Sequence, residues 1–169
     1  VSFPPAVQRV GSCTLAPHVL GRVGQMSPEE WEVYQDRGYA MDETVGKDGA
    51  EGAFESYLHG TKGTRIITTN EEGKITGELY TKEPQPGGTV ALTLDIDVQE
   101  DTEKSLAQTI EAMTAKDGIV RGGAAVVVGV GSGEVLAMAS YPTYNLATMN
   151  QDWAEIEADP LKPFFNRAF

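Results

Sequence analysis

A polar-to-apolar transition at residues 26–31 marks the start of a first helix. Ser27 precedes an apolar stretch and Glu30 follows three residues later, which is the spacing of a capping box. Met26 and Trp31 occupy the two positions of a hydrophobic staple around that cap. Gly38 is a typical residue after a helix end, so the pattern predicts a short helix between Ser27 and Gly38.

A second helical pattern covers residues 49–59 and is expected to end at Gly60. Its apolar positions fall on one face of a helix, and that face is predicted to point inward: Ala50, Phe54, Tyr57 and Leu58.

Alternating patterns follow, and they predict strands. Thr64–Thr69 and Lys74–Tyr80 are β-prone and are separated by Asn70–Gly73, so together they predict a hairpin. After a break rich in proline and glycine, Thr89–Asp95 alternates strongly apolar with weakly apolar residues, which predicts a strand with one apolar face.

The longest helix is predicted between Asp97, as its cap, and Gly118. Glu100 and Lys104 lie four residues apart and are expected to form an ion pair on its surface. The apolar residues of this segment form one stripe: Val98, Leu106, Ile110 and Met113.

A second hairpin completes the pattern. Ala124–Val130 is apolar at every position, as in a strand buried on both faces, and Glu134–Ser140 returns after a glycine turn. A short helix is predicted at 153–158. This order of elements, with hairpins and helices in separate runs, favours an α+β fold over a doubly wound parallel sheet.

Composition narrows the function classes. The chain has 169 residues, 40% of them hydrophobic, and a formal net charge of -12, which disfavours nucleic acid and anionic lipid as partners. The single Cys13 cannot form an internal disulfide, and with two histidines it cannot build a zinc site. No apolar run reaches the roughly 20 residues that span a bilayer, and no signal-peptide pattern is recognised. Residues 1–25 are expected to be extended pieces broken by prolines and a glycine.

Candidate chemistry is sparse. Gly129–Gly133 superficially resembles a phosphate-binding loop, but a strand pattern follows it where a helix is needed, so a hairpin turn is the preferred interpretation. His18 and His59 lack clustered ligands and are interpreted as structural. Asp95 and Asp97 are interpreted as capping residues, with a metal site as the alternative. Gly-x-Ser-x-Gly is absent, although a spatially assembled Ser-His-Asp arrangement stays open.

Several segments, in order, resemble class B penicillin-binding proteins over about residues 17–169. The run from Gly133 to Asn145 is very close to the family's "tGevLAmaSyPtydpN". The other matching segments are His18–Gly24, Gly38-Tyr39, Val45–Glu51, Tyr57–Gly63, Leu92–Asp95 with Gln99, and Asn166-Arg167-Ala168. His59 stands where the family usually has arginine, which puts in doubt any salt bridge of that arginine.

The resemblance implies a domain division. Residues 1–118 would be a penicillin-binding protein dimerisation, or pedestal, domain truncated at its N-terminus, with its connection to the catalytic domain. Residues 119–169 would begin a D,D-transpeptidase domain and stop before the catalytic serine. The expected fold is therefore α+β and dimerisation-domain-like, with an antiparallel hairpin from the start of the transpeptidase domain.

The catalytic motif of that family is Ser-x-x-Lys, and no serine here has lysine three residues on. The expectation is therefore no catalytic, cofactor-binding or metal-binding residue and no cofactor. The implied role is positioning a peptidoglycan transpeptidase at the extracytoplasmic face of the bacterial membrane, which the parent reaches through an upstream helix.

Other cell-wall synthesis or division proteins are the implied partners, and a homo-oligomer through the second hairpin is a further expectation. The alternative is a stand-alone extracytoplasmic module that binds a peptide or glycan.

Overall fold

The computed structural model describes residues 13–169, with the Tyr80 side chain left out, and the fold is α+β as predicted. Of the extended pieces predicted for residues 1–25, residues 1–12 lie outside the described part. In the rest, Val23–Gln25 is extended as predicted, whereas Pro17–Leu20 forms a short helix, contrary to the prediction. The helices are α1 Pro17–Leu20, α2 Pro28–Tyr34 with a 3-10 turn Gln35–Arg37, α3 Gly49–Ala53, α4 Glu55–Leu58, α5 Ile96–Asp117 and α6 Met149–Ala158. The strands are β1 Val23–Gln25, β2 Thr44–Gly46, β3 Thr64–Thr69, β4 Ile75–Lys82, β5 Gly123–Val128 and β6 Val135–Tyr141.

The strands form three separate antiparallel pairs, β1-β2, β3-β4 and β5-β6. The clusters of buried apolar residues lie beside the first and last pairs. Met26, Tyr39 and Val45 form a core cluster beside β1-β2, while Tyr144 and Met149 belong to a second cluster near β6. The β3-β4 hairpin makes few contacts with other elements and exposes much of its side-chain surface.

The first predicted helix is confirmed together with its cap. The Glu30 amide donates to the Ser27 hydroxyl and the Ser27 amide donates to the Glu30 carboxylate, which completes the capping box. Met26 and Trp31 pack in the same apolar cluster, and Gly38 ends the helical segment with a φ of 86°.

The second helix differs from its prediction. It breaks at Phe54 into α3 and α4, and Phe54 and Tyr57, both placed on an inward face, are about half exposed. Glu55 is the fully buried residue instead, because its carboxylate accepts backbone and side-chain hydrogen bonds from the β2 side. A buried, hydrogen-bonded carboxylate thus overrides the apolar periodicity.

Two further predictions around α5 are wrong in detail. Thr89–Asp95 forms no strand. The Val135 carbonyl accepts a hydrogen bond from the Thr93 hydroxyl and not from a backbone amide, and the Asp95 amide makes the one backbone hydrogen bond from this segment to β6. The α5 cap is Asp95 rather than Asp97: the Asp95 carboxylate accepts from the amides of Asp97 and Val98, each at 3.1 Å. A shorter extended segment therefore enters the helix two residues earlier than predicted.

The apolar stripe of α5 is confirmed at its centre. Ile110 is buried and Leu106 half-buried against β5, where a Cβ added to Gly123 would lie 2.7 Å from the Ile110 Cδ1. Met113 is about half exposed, contrary to its assignment to the stripe. The Glu100–Lys104 ion pair and the Gly118 stop are present as predicted.

The β5-β6 hairpin is confirmed, but β5 is not buried on both faces. Its residues alternate between half-buried positions toward α5 and exposed positions on the opposite face, where Val126 is 45% exposed. In the described part of the chain, α5 makes most of the helix contacts with this sheet, and α1 adds a few at β6. The predicted short terminal helix is also present and begins earlier, at Met149.

Candidate functional site

The glycine loop is a hairpin turn, as predicted. The Gly133 amide donates to the Gly129 carbonyl, and the chain enters β6 at Val135 without an intervening helix. No helix N-terminus stands behind this loop, so it lacks the feature that holds a phosphate. Within residues 13–169, no group of three or more His, Cys, Asp or Glu side chains is placed to hold a metal ion. The Asp95 carboxylate is engaged as the α5 cap.

Side chains distant in sequence meet instead at a contact between α1 and the C-terminal segment, here called the joint. Its members are His18, Arg22, Asp48, Tyr144, Pro163 and Phe164. The His18 Nε2 lies 2.6 Å from the Pro163 carbonyl, and the His18 ring meets the Tyr144 ring edge-on at 5.0 Å. The Tyr144 hydroxyl also reaches the Pro17 carbonyl at 3.5 Å.

The arginine of the joint is held by a carboxylate. The Asp48 Oδ1 accepts from the Arg22 backbone amide at 2.6 Å, and its Oδ2 accepts from the Arg22 Nε at 2.7 Å and lies 2.6 Å from Nη2, so one carboxylate holds both the backbone and the guanidinium of Arg22. The guanidinium lies over the Phe164 ring, 4.9 Å from its centroid. Arg22 therefore joins the start of β1 to the segment that follows α6.

Two glycines of the family-like segments lie back to back behind this arginine. A Cβ added to Gly21 would lie 1.9 Å from the Asp48 carbonyl oxygen, and one added to Gly49 would lie 2.6 Å from the Gly21 Cα. Both have positive φ, at 89° and 57°, a conformation that favours glycine. The two backbones can approach this closely only because neither residue has a side chain.

Burial in the joint shifts the titration of its rings. Burial lowers the pKa of His18, and the hydrogen bond to Pro163 and the Glu103 charge offset only part of that effect. Burial, reinforced by the Asp48 charge, raises the pKa of Tyr144 to about 12. Both shifts keep these rings neutral inside the joint.

A pH-dependent stability is expected from His18. Because the folded pKa lies below the ordinary value, the neutral ring stabilises the fold above the unfolded pKa of about 6.5. Stability is then lost as pH falls below that value, since the unfolded chain binds the proton more readily. We expect the urea midpoint to fall between about pH 7.5 and about pH 5.5, and to fall less in His18→Gln.

The matched control for this measurement is His59→Gln, which removes the other histidine. It should keep the His18 component of the pH dependence. If the urea midpoint changed equally with pH in the unsubstituted chain and in His18→Gln, His18 would not be the source of the pH dependence.

His59 lies in a second polar group, away from the joint. Its Nε2 is 2.9 Å from the Glu43 Oε2, its ring stacks on Tyr39 with centroids 3.7 Å apart, and Lys62 pairs with the other Glu43 oxygen at 2.6 Å. Burial would raise the pKa of Glu43, but the hydrogen bonds from Lys62 and His59 outweigh it and lower that pKa. The stacking and pairing agree with a structural role for this histidine.

A buried glutamine fastens α5 to the outer edge of β6. Gln99 is wholly buried, and its side-chain amide accepts from the Met138 amide at 2.8 Å and donates to the Met138 carbonyl at 2.9 Å. It also donates to Glu103, whose carboxylate accepts from the Ala16 amide at 2.7 Å. The Gln99 side chain thus makes the hydrogen bonds to Met138 that a neighbouring strand would make. Through Glu103 it also connects α5 to Ala16, the residue before α1.

The segment Asn166-Arg167-Ala168 is fastened to the other end of β6. The Ser140 hydroxyl, which is buried, accepts from the Arg167 amide at 2.9 Å and contacts the Asn166 amide oxygen at 3.2 Å. The Arg167 guanidinium donates to the carbonyls of Leu161 and Phe165. The Ser140 hydroxyl is thereby occupied by structural hydrogen bonds.

The family resemblance alone marked the segments that contain Gln99, Ser140, Asn166 and Arg167, and no sequence signal marked Glu55. Periodicity could not have marked these residues, because each is a polar residue, buried or half-buried, in an otherwise ordinary pattern. Together, these hydrogen bonds and ring contacts join segments that are far apart in the sequence, while the β3-β4 hairpin exposes much of its side-chain surface. Among the described helices, none combines the length and apolar character needed to cross a bilayer.

Residues 9–92 match the family model of the penicillin-binding protein dimerisation domain. Peptidoglycan D,D-transpeptidase MrdA of Escherichia coli (strain K12) is 31% identical over 160 residues, covering 89% of this chain and 23% of that protein. The chain therefore spans under a quarter of the length of this curated relative.

Two solved structures share the fold. One, from work on the structural coordination of polymerization and crosslinking by a peptidoglycan synthase complex, has a TM-score of 0.77 and 31% identity, covering 91% of this chain and 28% of the other. The other, a complex between penicillin-binding protein PBP2 and MreC from Helicobacter pylori, has a TM-score of 0.66 and 28% identity, covering 91% and 27%.

Proposed function

The chain belongs to the class B penicillin-binding proteins and carries a dimerisation domain of that family, and from this premise we propose that it is a non-catalytic part of a peptidoglycan D,D-transpeptidase. Its role is to position the catalytic domain at the extracytoplasmic face of the bacterial membrane and to bind other cell-wall proteins. Residues 1–118 would form the pedestal, and residues 119–169 would begin the transpeptidase domain.

The joint is the observation that best supports a positioning role. His18 and Arg22 come from the proposed pedestal, whereas Pro163 and Phe164 come from the proposed start of the transpeptidase domain. Hydrogen bonds and ring contacts between fixed groups resist rotation of one part against the other. Gln99 adds a second fastening point at β6, so two separated contacts support one relative orientation.

Partner binding is proposed for the β3-β4 hairpin. Ile66 and Leu79 lie directly opposite each other in its register, and they are 51% and 64% exposed. An exposed apolar cross-strand pair on a projecting hairpin is typical of a protein-binding surface. The hairpin lies within residues 9–92, and the similar protein from Helicobacter pylori is found with MreC, so we propose an MreC-type protein as its partner.

The test is a binding measurement between this chain and the MreC protein of its own organism, by biolayer interferometry. Leu79→Asp should weaken binding at least about tenfold, because it places a charge in the apolar contact. Val120→Asp, at an exposed position outside residues 9–92, should leave the affinity unchanged. Equal affinities for both variants, or no binding of the parent chain, would overturn the partner assignment.

The same preparation addresses the non-catalytic assignment. Since no serine has lysine three residues on, incubation with a fluorescent penicillin should give no covalently labelled band on a denaturing gel. A stoichiometric band would refute it.

A further inference from the structure

The β3-β4 hairpin joins the rest of the chain through a narrow neck, formed by residues 60–63 and 84–87. Thr61 and Gln85 face each other in the neck, and each donates its amide to the carbonyl of the other, at 2.8 Å and 2.9 Å. The two backbones lie close together, since a Cβ added to Gly60 would be 2.5 Å from the Gln85 carbonyl oxygen. One residue pair thus closes the neck, and a single pair resists tilting of the hairpin only weakly.

Glu43 contacts the neck from the first sheet. Its backbone is fixed on both sides, because its amide donates to the Ala40 carbonyl at 3.0 Å and its carbonyl accepts from the Met26 amide at 3.1 Å. Its side chain is 9% exposed, and its Oε1 lies 2.6 Å from the Nζ of Lys62, a residue of the neck. A carboxylate this buried is stable only with such partners, so the ion pair ties Lys62 to the region of β1-β2.

The second oxygen of the same carboxylate continues the connection. His59 precedes the neck, and its Nε2 lies 2.9 Å from the Glu43 Oε2 while its ring stacks on Tyr39 at 3.7 Å. Tyr39 is itself buried, in the apolar cluster with Met26 and Val45. One carboxylate therefore holds the chain that enters the hairpin at two points, and two points set a direction where one point cannot.

The other carboxylate near Lys62 cannot replace Glu43. Asp42 lies 4.0 Å from the Lys62 Nζ, and its side chain is 89% exposed. An ion pair of that length between exposed groups contributes little to stability. The pair with Glu43 is shorter and partly shielded from solvent, so salt screens it less.

We propose that Glu43 is the positioning residue of the β3-β4 hairpin: by holding His59 and Lys62, it sets the direction in which the hairpin presents its exposed apolar cross-strand pair. The consequence for binding rests on the function proposed above for that pair. A hairpin released from Glu43 keeps its own ladder but samples several directions, of which only some suit the partner. The apparent affinity then falls in proportion to the population of the suitable direction.

Residual dipolar couplings of the backbone amides test the hairpin direction on the whole chain. In the unsubstituted chain, the couplings of β3 and β4 should fit the alignment tensor of β1, β2 and α2. Lys62→Met removes the charge at a half-exposed position, and the couplings of the hairpin should then shrink and no longer fit that tensor. The couplings of β1 and β2 should keep it, which shows that the fold is intact. Lys62→Arg retains the charge and should retain the fit.

Glu43→Gln tests the same contact from the carboxylate side and should release the hairpin in the same way. Its matched control is Glu78→Gln, the same substitution in the Arg65–Glu78 ion pair, which lies within the hairpin at 2.8 Å. The control should leave the hairpin on the common tensor. A hairpin that keeps this tensor in Lys62→Met, or that loses it equally in Glu78→Gln, would overturn the proposal.

Binding to the MreC-type protein distinguishes this proposal from the partner assignment. If the suitable direction falls to between about a third and about a tenth of the population, Lys62→Met should bind about threefold to tenfold more weakly, and Lys62→Arg should bind as the unsubstituted chain does. If the unsubstituted chain does not bind, the partner assignment fails alone, because the couplings are measured without the partner and still decide the role of Glu43. A released hairpin with unchanged affinity would refute the link between direction and binding.

Discussion

Replacing Ile110 by alanine lowers the free energy of unfolding by about 2–5 kcal/mol, the range for truncating a buried aliphatic side chain. Ile110 is 6% exposed and packs where Gly123 has no side chain, so no neighbouring group can easily fill the space. The loss combines transfer of the removed methylenes to water with the cavity left between α5 and β5. Urea unfolding followed by circular dichroism gives the value directly.

Gln108→Ala is the matched control, on the same helix but exposed. It should change the free energy of unfolding by no more than about 0.5 kcal/mol, as surface substitutions usually do. Similar midpoint shifts for Ile110→Ala and Gln108→Ala would mean that the helix presents a different face to the sheet.

Gln99→Met removes hydrogen bonds while nearly preserving volume, and we expect it to destabilise the chain by about 2–5 kcal/mol. The substitution deprives the Met138 amide and carbonyl of their partner, and each unsatisfied buried group costs about 1–3 kcal/mol. Because Gln99 is wholly buried, water has no direct route to replace it. Denaturant unfolding of the unsubstituted chain and of Gln99→Met measures this difference in the free energy of unfolding.

Gln108→Met controls for this change, since it makes the same chemical substitution at an exposed position of α5. It should leave the midpoint nearly unchanged. A Gln99→Met variant as stable as the parent would show that Met138 finds other partners and that this fastening of β6 is dispensable.

The elements that local signals specify were predictable from sequence. The capping box at Ser27, the turn at Asn70–Gly73 and the Gly118 stop each rest on residues within a few positions of one another, and all three formed as predicted. Two signals competed at the start of α5. Asp95 and Asp97 are both good caps, and the hydrogen bond of the Asp95 amide to Leu136 decided between them.

Burial by long-range contacts was not predictable in the same way. Glu55 is buried because the Gly46 amide and the Tyr39 hydroxyl donate hydrogen bonds to its carboxylate. Both donors lie outside the helical segment, so its residue pattern could not predict them. The joint likewise depends on groups about 145 residues apart. The family resemblance marked many of its segments, but only the three-dimensional arrangement shows that they meet.

That separation has a consequence for the order in which the chain can fold as it is made. His18 is synthesised early, and Pro163, which accepts its hydrogen bond, follows 145 residues later. At about 5–20 residues per second, the interval is about 7–29 s. During this time α1 has neither Pro163 nor Phe164 to pack on, and Leu20, which packs against the Tyr144 cluster, stays without its apolar cover. The contact between His18 and Pro163 thus forms only after the intervening residues have been made, and its formation closes a loop of 145 residues.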